Sequence, residues 1–333
     1  MDTEKLKSIA DIARIAGVSK STVSRALNNS PLANPETKAR ILAIAKQHEF
    51  QLSVAARSLS LHSSRTIAFV SHAYSGKDCG ISDFFSLEIM GGIATGLHEQ
   101  GYGLLVTLVN PHDREWAGQL LDSGRVDGFI LMTSTRKTAH VDMLLAKKAP
   151  FVAWGMSTGR YCTVRGDDFT GGTLAARRLL PRSRIAFIGG PPYEGEAIER
   201  RRGFESVLRE AGRELDPSLT ADGDYSETGG ARAMEALLEK DQRIDAVFAA
   251  SDLTAIAAMR VLKAHGRKVP DDVAVVGYDD LLLAGYVTPG LTTISQKISL
   301  AGKLLAHDLI AYLNQGVITT RVMPVELIVR ESA

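Results

Sequence analysis

The chain contains very little cysteine. Cys79 and Cys162 are the only two in 333 residues, too few for a disulfide framework or a cysteine-based zinc site. Long apolar runs are missing as well. No stretch approaches the roughly 18 residues of a membrane span, so no membrane association is expected. The N-terminus, MDTEKLKSIADIARIAG, mixes acids and bases and has no apolar segment ending in a cleavage site. It does not read as a secretory signal, and a cytoplasmic protein fits these absences. The eight histidines are scattered without metal-ligand spacing, so neither a metal nor a cofactor is expected. Gly189, Gly190 and Gly195 surround Pro191-Pro192 with no Gly-Lys-Ser/Thr after them, so there is no P-loop. Gly155-Met156-Ser157-Thr158-Gly159 spells G-x-S-x-G, with His265 and His307 downstream. A nucleophile elbow needs a helix behind the serine, and Arg160-Tyr161-Cys162-Thr163-Val164 does not read as one. No catalytic residue is expected.

What is present suffices for two domains, or three if one is small. Hydrophobic residues make up 45% and charged residues 23%, ordinary values for a globular chain with a core. The net charge of +1 is unevenly spread. Residues 1–65 hold ten bases and five acids, a net of +5; the rest holds 29 bases and 33 acids, a net of −4. A basic head on an acidic body suggests that the head meets a polyanion.

The first fifty residues read as three short helices. Ser8 can cap the first, with Asp11 as its capping-box partner. Ile9, Ile12 and Ile15 form an apolar stripe, and Gly17 can end the helix with a positive φ. Ser19 can cap a second helix, Lys20 to Leu27, with Val23 and Leu27 facing the core. Asn34 caps a third, with Pro35 at its first position and Ile41, Ile44 and Ala45 inward. Helix, glycine-containing turn, helix is the helix-turn-helix pattern. The second helix is small and polar outside, with hydrogen-bonding groups near its start, which suits the major groove. Residues 51–64 read as a serine-rich linker that becomes helical on binding.

From Thr66 the pattern alternates. Strand-like runs lie at 66–70, 103–109, 127–132, 151–154, 184–189, 245–250 and 273–279. Helical stretches fall between them, at about 87–100, 114–122, 138–147, 170–180, 197–211, 228–239 and 253–265. Strands apolar on both faces, alternating with helices, predict doubly wound parallel sheets. The length suggests two similar subdomains with a ligand cleft at the carboxyl ends of their strands.

SIADIARIAGVSKSTVSRALN, NPETKARILAIAKQHEF and AARSL resemble the head of the lactose-repressor (LacI/GalR) family of bacterial transcription regulators. GYGLLV, VDGFI, RIAFIGG, RRGFESVL, DAVFAASDLTAIAAMRVL, VPDDVAVVGYDD and LTTISQ match that family's sensor in order. The resemblance implies an all-α helix-turn-helix domain at 1–52 and a hinge helix and linker at 53–64. A periplasmic-binding-protein-like sensor at 65–333 follows, split as 65–164 with 293–322 and 165–291 with 323–333. It implies that Lys20, Ser21 and Arg25 read bases, while Ser8, Ser19, Thr22, Ser24, Asn28 and Asn34 bond phosphates or cap. Ala56, Arg57 and Leu59 would enter the minor groove, Leu59 as a wedge; the alternative for Leu59 is packing on the sensor. One departure is Glu49-Phe50-Gln51-Leu52-Ser53, where the family usually has Gly-Tyr-Arg-Pro-Asn. The missing proline removes a stiff lead into the hinge.

In the cleft the resemblance places Phe84, Phe85, Trp154, Arg200, Tyr225, Ser251 and Asp279, with the register at 84 or 85 open. An arginine, an aspartate and flat rings suit a polyhydroxylated sugar. The bland alternatives are a solvated Arg200, a capping Asp279 and ordinary core or rim aromatics at Trp154 and Tyr225. The expected function is a homodimeric repressor on palindromic double-stranded DNA, released by a small sugar. A nucleoside or purine effector, a corepressor mode and a sugar-binding protein without a DNA role are the alternatives. The final run, Pro324 to Ala333, leaves no leucine heptads, so a dimer rather than a tetramer is expected.

Overall fold

The computed structural model describes residues 8–28, 32–50, 63–72, 83–110, 113–132, 139–156, 159–317 and 319–333. Three helices open it: α1 Ile9–Ala16, α2 Lys20–Leu27 and α3 Pro35–Gln47. Each begins where the sequence offers a cap. The Asp11 amide donates to Ser8 Oγ at 3.3 Å, and the Ser8 amide donates back to Asp11 Oδ2 at 3.1 Å. Ser19 Oγ accepts the Thr22 amide, and Asn34 Oδ1 accepts the amides of Glu36 and Thr37. Caps contribute about 1 kcal/mol each, a large share for helices this short. Gly17, at φ 65°, closes α1. The three helices share one core of Ile12, Ala13, Ala16, Val23, Ala26, Ile41 and Ala45, with Leu27, Ile44 and Phe50 at its edge. Ile15 is 45% exposed, against expectation. Each step of three residues falls about 60° short of a helical turn, so the stripe has rotated off the core by Ile15. Ala13 and Ala16 take its place.

Strands and helices then alternate. The first sheet holds β1 Thr66–His72, β2 Gly103–Val109, β3 Gly128–Met132, β4 Phe151–Trp154, β5 Cys162–Gly166 and β11 Thr320–Met323. Its order is β11-β5-β4-β3-β1-β2. The second holds β6 Ile185–Ile188, β7 Thr220–Ala221, β8 Ala246–Ala249, β9 Ala274–Asp279, β10 Thr292–Ser295 and β12 Glu326–Ile328. Its order is β12-β10-β9-β8-β6-β7, parallel except for the antiparallel edge strand β12. The helices are α4 Phe84–Glu99, α5 Trp116–Asp122, α6 Ala139–Ala146, α7 Asp168–Leu179, α8 Gly195–Glu210, α9 Glu227–Lys240, α10 Asp252–Ala264 and α11 Ile298–Gln315. Among the described residues no helix is long and apolar enough to cross a membrane.

The strand period of two builds the second sheet's cores. Along β6, Ile185 and Phe187 face the α7–α8 layer, while Ala186 and Ile188 face the α9–α10 layer. β8 repeats this with Ala246 and Phe248 against Val247 and Ala249. In the first sheet, Ile67, Phe69, Ile130, Val152 and Val164 pack with α4 and α11.

Two differences from the sequence reading bear on the site. β10 pairs with β9, so it belongs to the second sheet rather than to the first, where a boundary at 293 would put it. The chain returns to the first sheet only with α11 and β11. Neither β10 nor α11 stood among the expected elements. β10 is Thr-Thr-Ile-Ser, a buried strand with no apolar run to mark it. Its threonine hydroxyls bond residues distant in sequence: Thr292 donates to the Arg330 carbonyl and Thr293 to Asp252 Oδ1.

Candidate ligand cleft and nucleic-acid interface

The second sheet's strands end in a buried polar cluster. Arg200, on α8, donates from Nε to Asp168 Oδ1 at 2.9 Å and from Nη1 to the Ala250 carbonyl at 2.7 Å. Its Nη1 lies 3.9 Å from Asp279 Oδ1. The guanidinium sits 3.8 Å above the Tyr278 ring centroid and 5.7 Å from that of Tyr225. Two glycines make this possible. A Cβ on Gly172 would stand 2.1 Å from the Arg200 carbonyl oxygen, and one on Gly203 would stand 2.0 Å from that of Phe169. With no side chain there, α7 and α8 approach backbone to backbone, and Asp168 meets Arg200.

Burial pushes the carboxyls upward. Asp279 is raised to about 7 by burial, against the opposing pull of Arg200 and the Gln296 amide. Asp168 is also raised, chiefly by burial, with Arg200 drawing it back. Glu196, one helical turn before Arg200, is raised to about 7 by burial. Asp252 lies beneath the cluster, accepting the Leu281 amide at 2.7 Å and the Thr293 hydroxyl at 2.5 Å. Burial, then the neighbouring Asp279, lifts it strongly.

Among the expected cleft residues, Arg200, Tyr225 and Asp279 come together. Tyr225 takes a positive φ of 64°, and its hydroxyl is buried without a hydrogen-bond partner among the described residues. Phe85 and Trp154 form a second group, with ring centroids 5.7 Å apart. Phe84 is 46% exposed, so of the two phenylalanines it is Phe85 that meets Trp154. Ser251 is buried but already engaged: its Oγ accepts the Thr254 amide and donates to Thr254 Oγ1, capping α10. The sequence reading missed Asp168, Tyr278, Glu196 and Gln296. Tyr278 stands next to Asp279 in VGYD, while Asp168 lies in an Asp-Asp pair before Gly171-Gly172, beside no expected site residue.

Gln296 joins the cluster to the crossing points of the chain. Its Nε2 donates to Asp279 Oδ1 at 2.7 Å, while its Oε1 has no partner among the described residues. The chain passes between the sheets after β5, after β10 and after β11. A Cβ on Gly166 would stand 2.6 Å from Gln296 Oε1 and 3.4 Å from Val325 Cγ1, so the three crossings touch. The G-x-S-x-G stretch does not build an elbow, because strand β5 follows it instead of a helix.

In the three-helix unit, Lys20, Ser21 and Arg25 are exposed on α2, opposite the buried Val23 and Ala26. No acid lies in the first turn of α2. Ser8, Ser19 and Asn34 serve as helix caps. Thr22 Oγ1 lies 2.8 Å from Ser19 Oγ, and Asn28 Nδ2 donates to Ser24 Oγ at 3.4 Å. Ala56, Arg57 and Leu59 lie outside the described residues.

Residues 8–53 match the model of bacterial regulatory proteins of the lacI family, and residues 182–333 match a periplasmic binding protein-like domain. The transcriptional regulator CelR of Thermobifida fusca is 34% identical over 317 residues, covering 93% of each chain. The ribose operon repressor of Escherichia coli strain K12 is 32% identical, covering 93% of this chain and 94% of its own. The structure of a CelR–cellobiose complex aligns with a TM-score of 0.74 at 31% identity, covering 98% of this chain and all of that one. A lac repressor dimer bound to operator aligns with a TM-score of 0.83 at 24% identity, covering 98% of this chain and 99% of that one, a likeness of fold.

Proposed function

The chain belongs to the lacI family of bacterial regulatory proteins, a DNA-binding transcriptional regulator and not an enzyme, and on that premise we propose that it is a cytoplasmic repressor released from its operator by a small sugar. The observation that carries the sugar reading is the cluster at Arg200. One guanidinium, several carboxyl acceptors and aromatic faces suit vicinal hydroxyls on a ring with apolar faces. The relatives named for cellobiose and ribose support the same class. Asp279 and Arg200 hold the hydroxyls in this reading, and Tyr225, Trp154 and Phe85 cover the ring.

In this reading two copies of α2 read a palindrome through Lys20, Ser21 and Arg25, with Ala56, Arg57 and Leu59 in the minor groove. Dimerisation draws support from exposed apolar side chains on the body: Phe84 and Leu87 on α4, Leu108 on β2, and Leu282 and Tyr286. Ligand closes the cleft and shifts the crossings at Gly166, Gln296 and Val325, and the hinge segments lose their paired fit. The test is selection of bound sequences from random duplex DNA, followed by mobility shift with and without cellobiose, glucose and ribose. A palindromic site, a complex weakened steeply by salt and release by one of the sugars are expected. Absence of any preferred sequence would refute the regulator reading.

A further inference from the structure

Asp252 opens α10, yet it is not the cap of that helix: Ser251 is, its Oγ accepting the Thr254 amide. The Asp252 side chain is fully buried and bonds two other segments instead. Its Oδ2 accepts the Leu281 amide at 2.7 Å, and its Oδ1 accepts the Thr293 hydroxyl at 2.5 Å. A glycine in β9 leaves room for it, since a Cβ on Gly277 would stand 2.4 Å from Asp252 Oδ1. Gly277 and Thr293 are register partners in β9 and β10, so the carboxyl seats where these two strands meet.

Both bonds lead to the cluster at Arg200. Leu281 follows Asp279 and Asp280, whose φ values of 115° and 58° are strained for residues with side chains. Arg330 grips the Asp280 side chain, but the backbone amide at the end of this turn goes to Asp252. Thr293 stands three residues before Gln296, whose Nε2 donates to Asp279 Oδ1 at 2.7 Å. One carboxyl thus ties down the backbone on both sides of the Asp279–Gln296 bond. Resting on the sugar reading above, we propose that Asp252 is a positioning residue for the effector. It touches no ligand. It holds the 279–281 turn and β10 so that Asp279 stands in its bonding geometry before the sugar arrives, and no binding free energy is lost to forming the strained turn. One strained residue costs as much as a change in affinity of about five- to hundredfold, and that range sets the loss expected when the ties are cut.

The test is calorimetric titration of the full-length protein with cellobiose, glucose and ribose, beside mobility shift on the selected operator without sugar. Asp252→Ala should weaken whichever sugar binds the parent protein by about five- to hundredfold, with the site in every chain still filled and the sugar-free operator affinity unchanged. Asp252→Asn should stay within about threefold of the parent protein, because its carbonyl can accept the Leu281 amide while its NH2 donates to the Thr293 hydroxyl. Thr293→Val cuts one tie and should fall between the two; it carries the test if Asp252→Ala does not fold. Sugar affinity unchanged in Asp252→Ala, or in Thr293→Val where that variant stands alone, overturns the positioning role and leaves the sugar reading intact. A loss confined to the fraction of sites filled, or shared by the operator complex, shows that Asp252 only supports the fold and overturns the role as well. So does an Asp252→Asn that falls as far as Asp252→Ala, since the effect would then belong to charge and not to the two ties. If none of the three sugars binds the parent protein while the operator complex forms, the sugar reading falls and the positioning role with it.

Discussion

Replacing Arg200 by alanine tests whether the cluster is held together by one guanidinium. The side chains of Arg200 and Asp168 are 6% and 3% exposed. Alanine leaves Asp168 as a buried carboxyl without its 2.9 Å partner and the Ala250 carbonyl without its donor. Breaking a buried ion pair from one side costs about 3–5 kcal/mol. For a body of this size each kcal/mol is worth about 2–4 °C in melting temperature, so Arg200→Ala should lower it by roughly 10 °C. Lysine should recover little. It cannot donate to Asp168 and Ala250 from one rigid fork, nor lie flat 3.8 Å above Tyr278. Adding Asp168→Asn to Arg200→Ala should restore part of the loss, because the stranded charge is gone. Differential scanning calorimetry of the ligand-free protein decides it. A fall under about 2 °C for Arg200→Ala, or no recovery in the double variant, would show that the guanidinium does not hold these carboxyls.

Three further outcomes follow from other parts of the chain. Arg25→Ala should cost about 1–3 kcal/mol on the selected site and relax preference at one symmetric pair of positions; equal weakening on all DNA would reduce it to a phosphate contact. Glu49 holds a φ of 49° at the end of the three-helix unit, so Glu49→Gly should stabilise that unit by up to about 1 kcal/mol in thermal melts, and a loss would disprove strain there. Burial lowers the pKa of His140, whose Nδ1 accepts from Trp116 Nε1 at 3.2 Å. The unfolded chain takes a proton near pH 6.5 and the fold resists it, so this contribution is present above about pH 6.5 and lost as pH falls below it. His140→Gln should flatten the acid limb of a stability–pH curve, and an unchanged slope would assign that limb to other groups.

Much of the fold could be read from short-range signals. The caps at Ser8, Ser19 and Asn34 are local chemistry, and β6 and β8 show their two faces residue by residue. What escaped were elements whose partners are distant. Thr292 and Thr293 are polar letters that become strand only because Asp252 and the Arg330 carbonyl take their hydroxyls. Ile15 looked apolar enough for the core, but helix geometry rather than composition decided the face. At the site, Arg200 and Asp279 were found through family resemblance. Asp168 and Gln296 were not, because their roles exist only after α7 meets α8 and the three crossings meet at Gly166.

Backbone strain gathers where the cleft meets those crossings. Seven non-glycine residues among those described carry a positive φ, and four of them are Tyr225, Asp279, Asp280 and Lys297. Sparsely populated conformations cost about 1–3 kcal/mol each and persist where surrounding bonds over-determine them. Those bonds are visible. Arg330 donates from Nη2 to Asp280 Oδ1 at 2.7 Å and from Nη1 to the Leu291 carbonyl at 2.8 Å. The Leu281 amide is held by Asp252, and Asp279 is held by Gln296. In the proposed reading, a ligand hydroxyl bonding Asp279 would compete with the Gln296 amide. Gln296 is followed at once by Lys297 and α11, the route back to the first sheet. In that reading, occupancy of the cleft would bear on a segment that is already strained and lies at a crossing. The coupling proposed here would require no long chain of intermediaries, only that Asp279 exchange one partner for another.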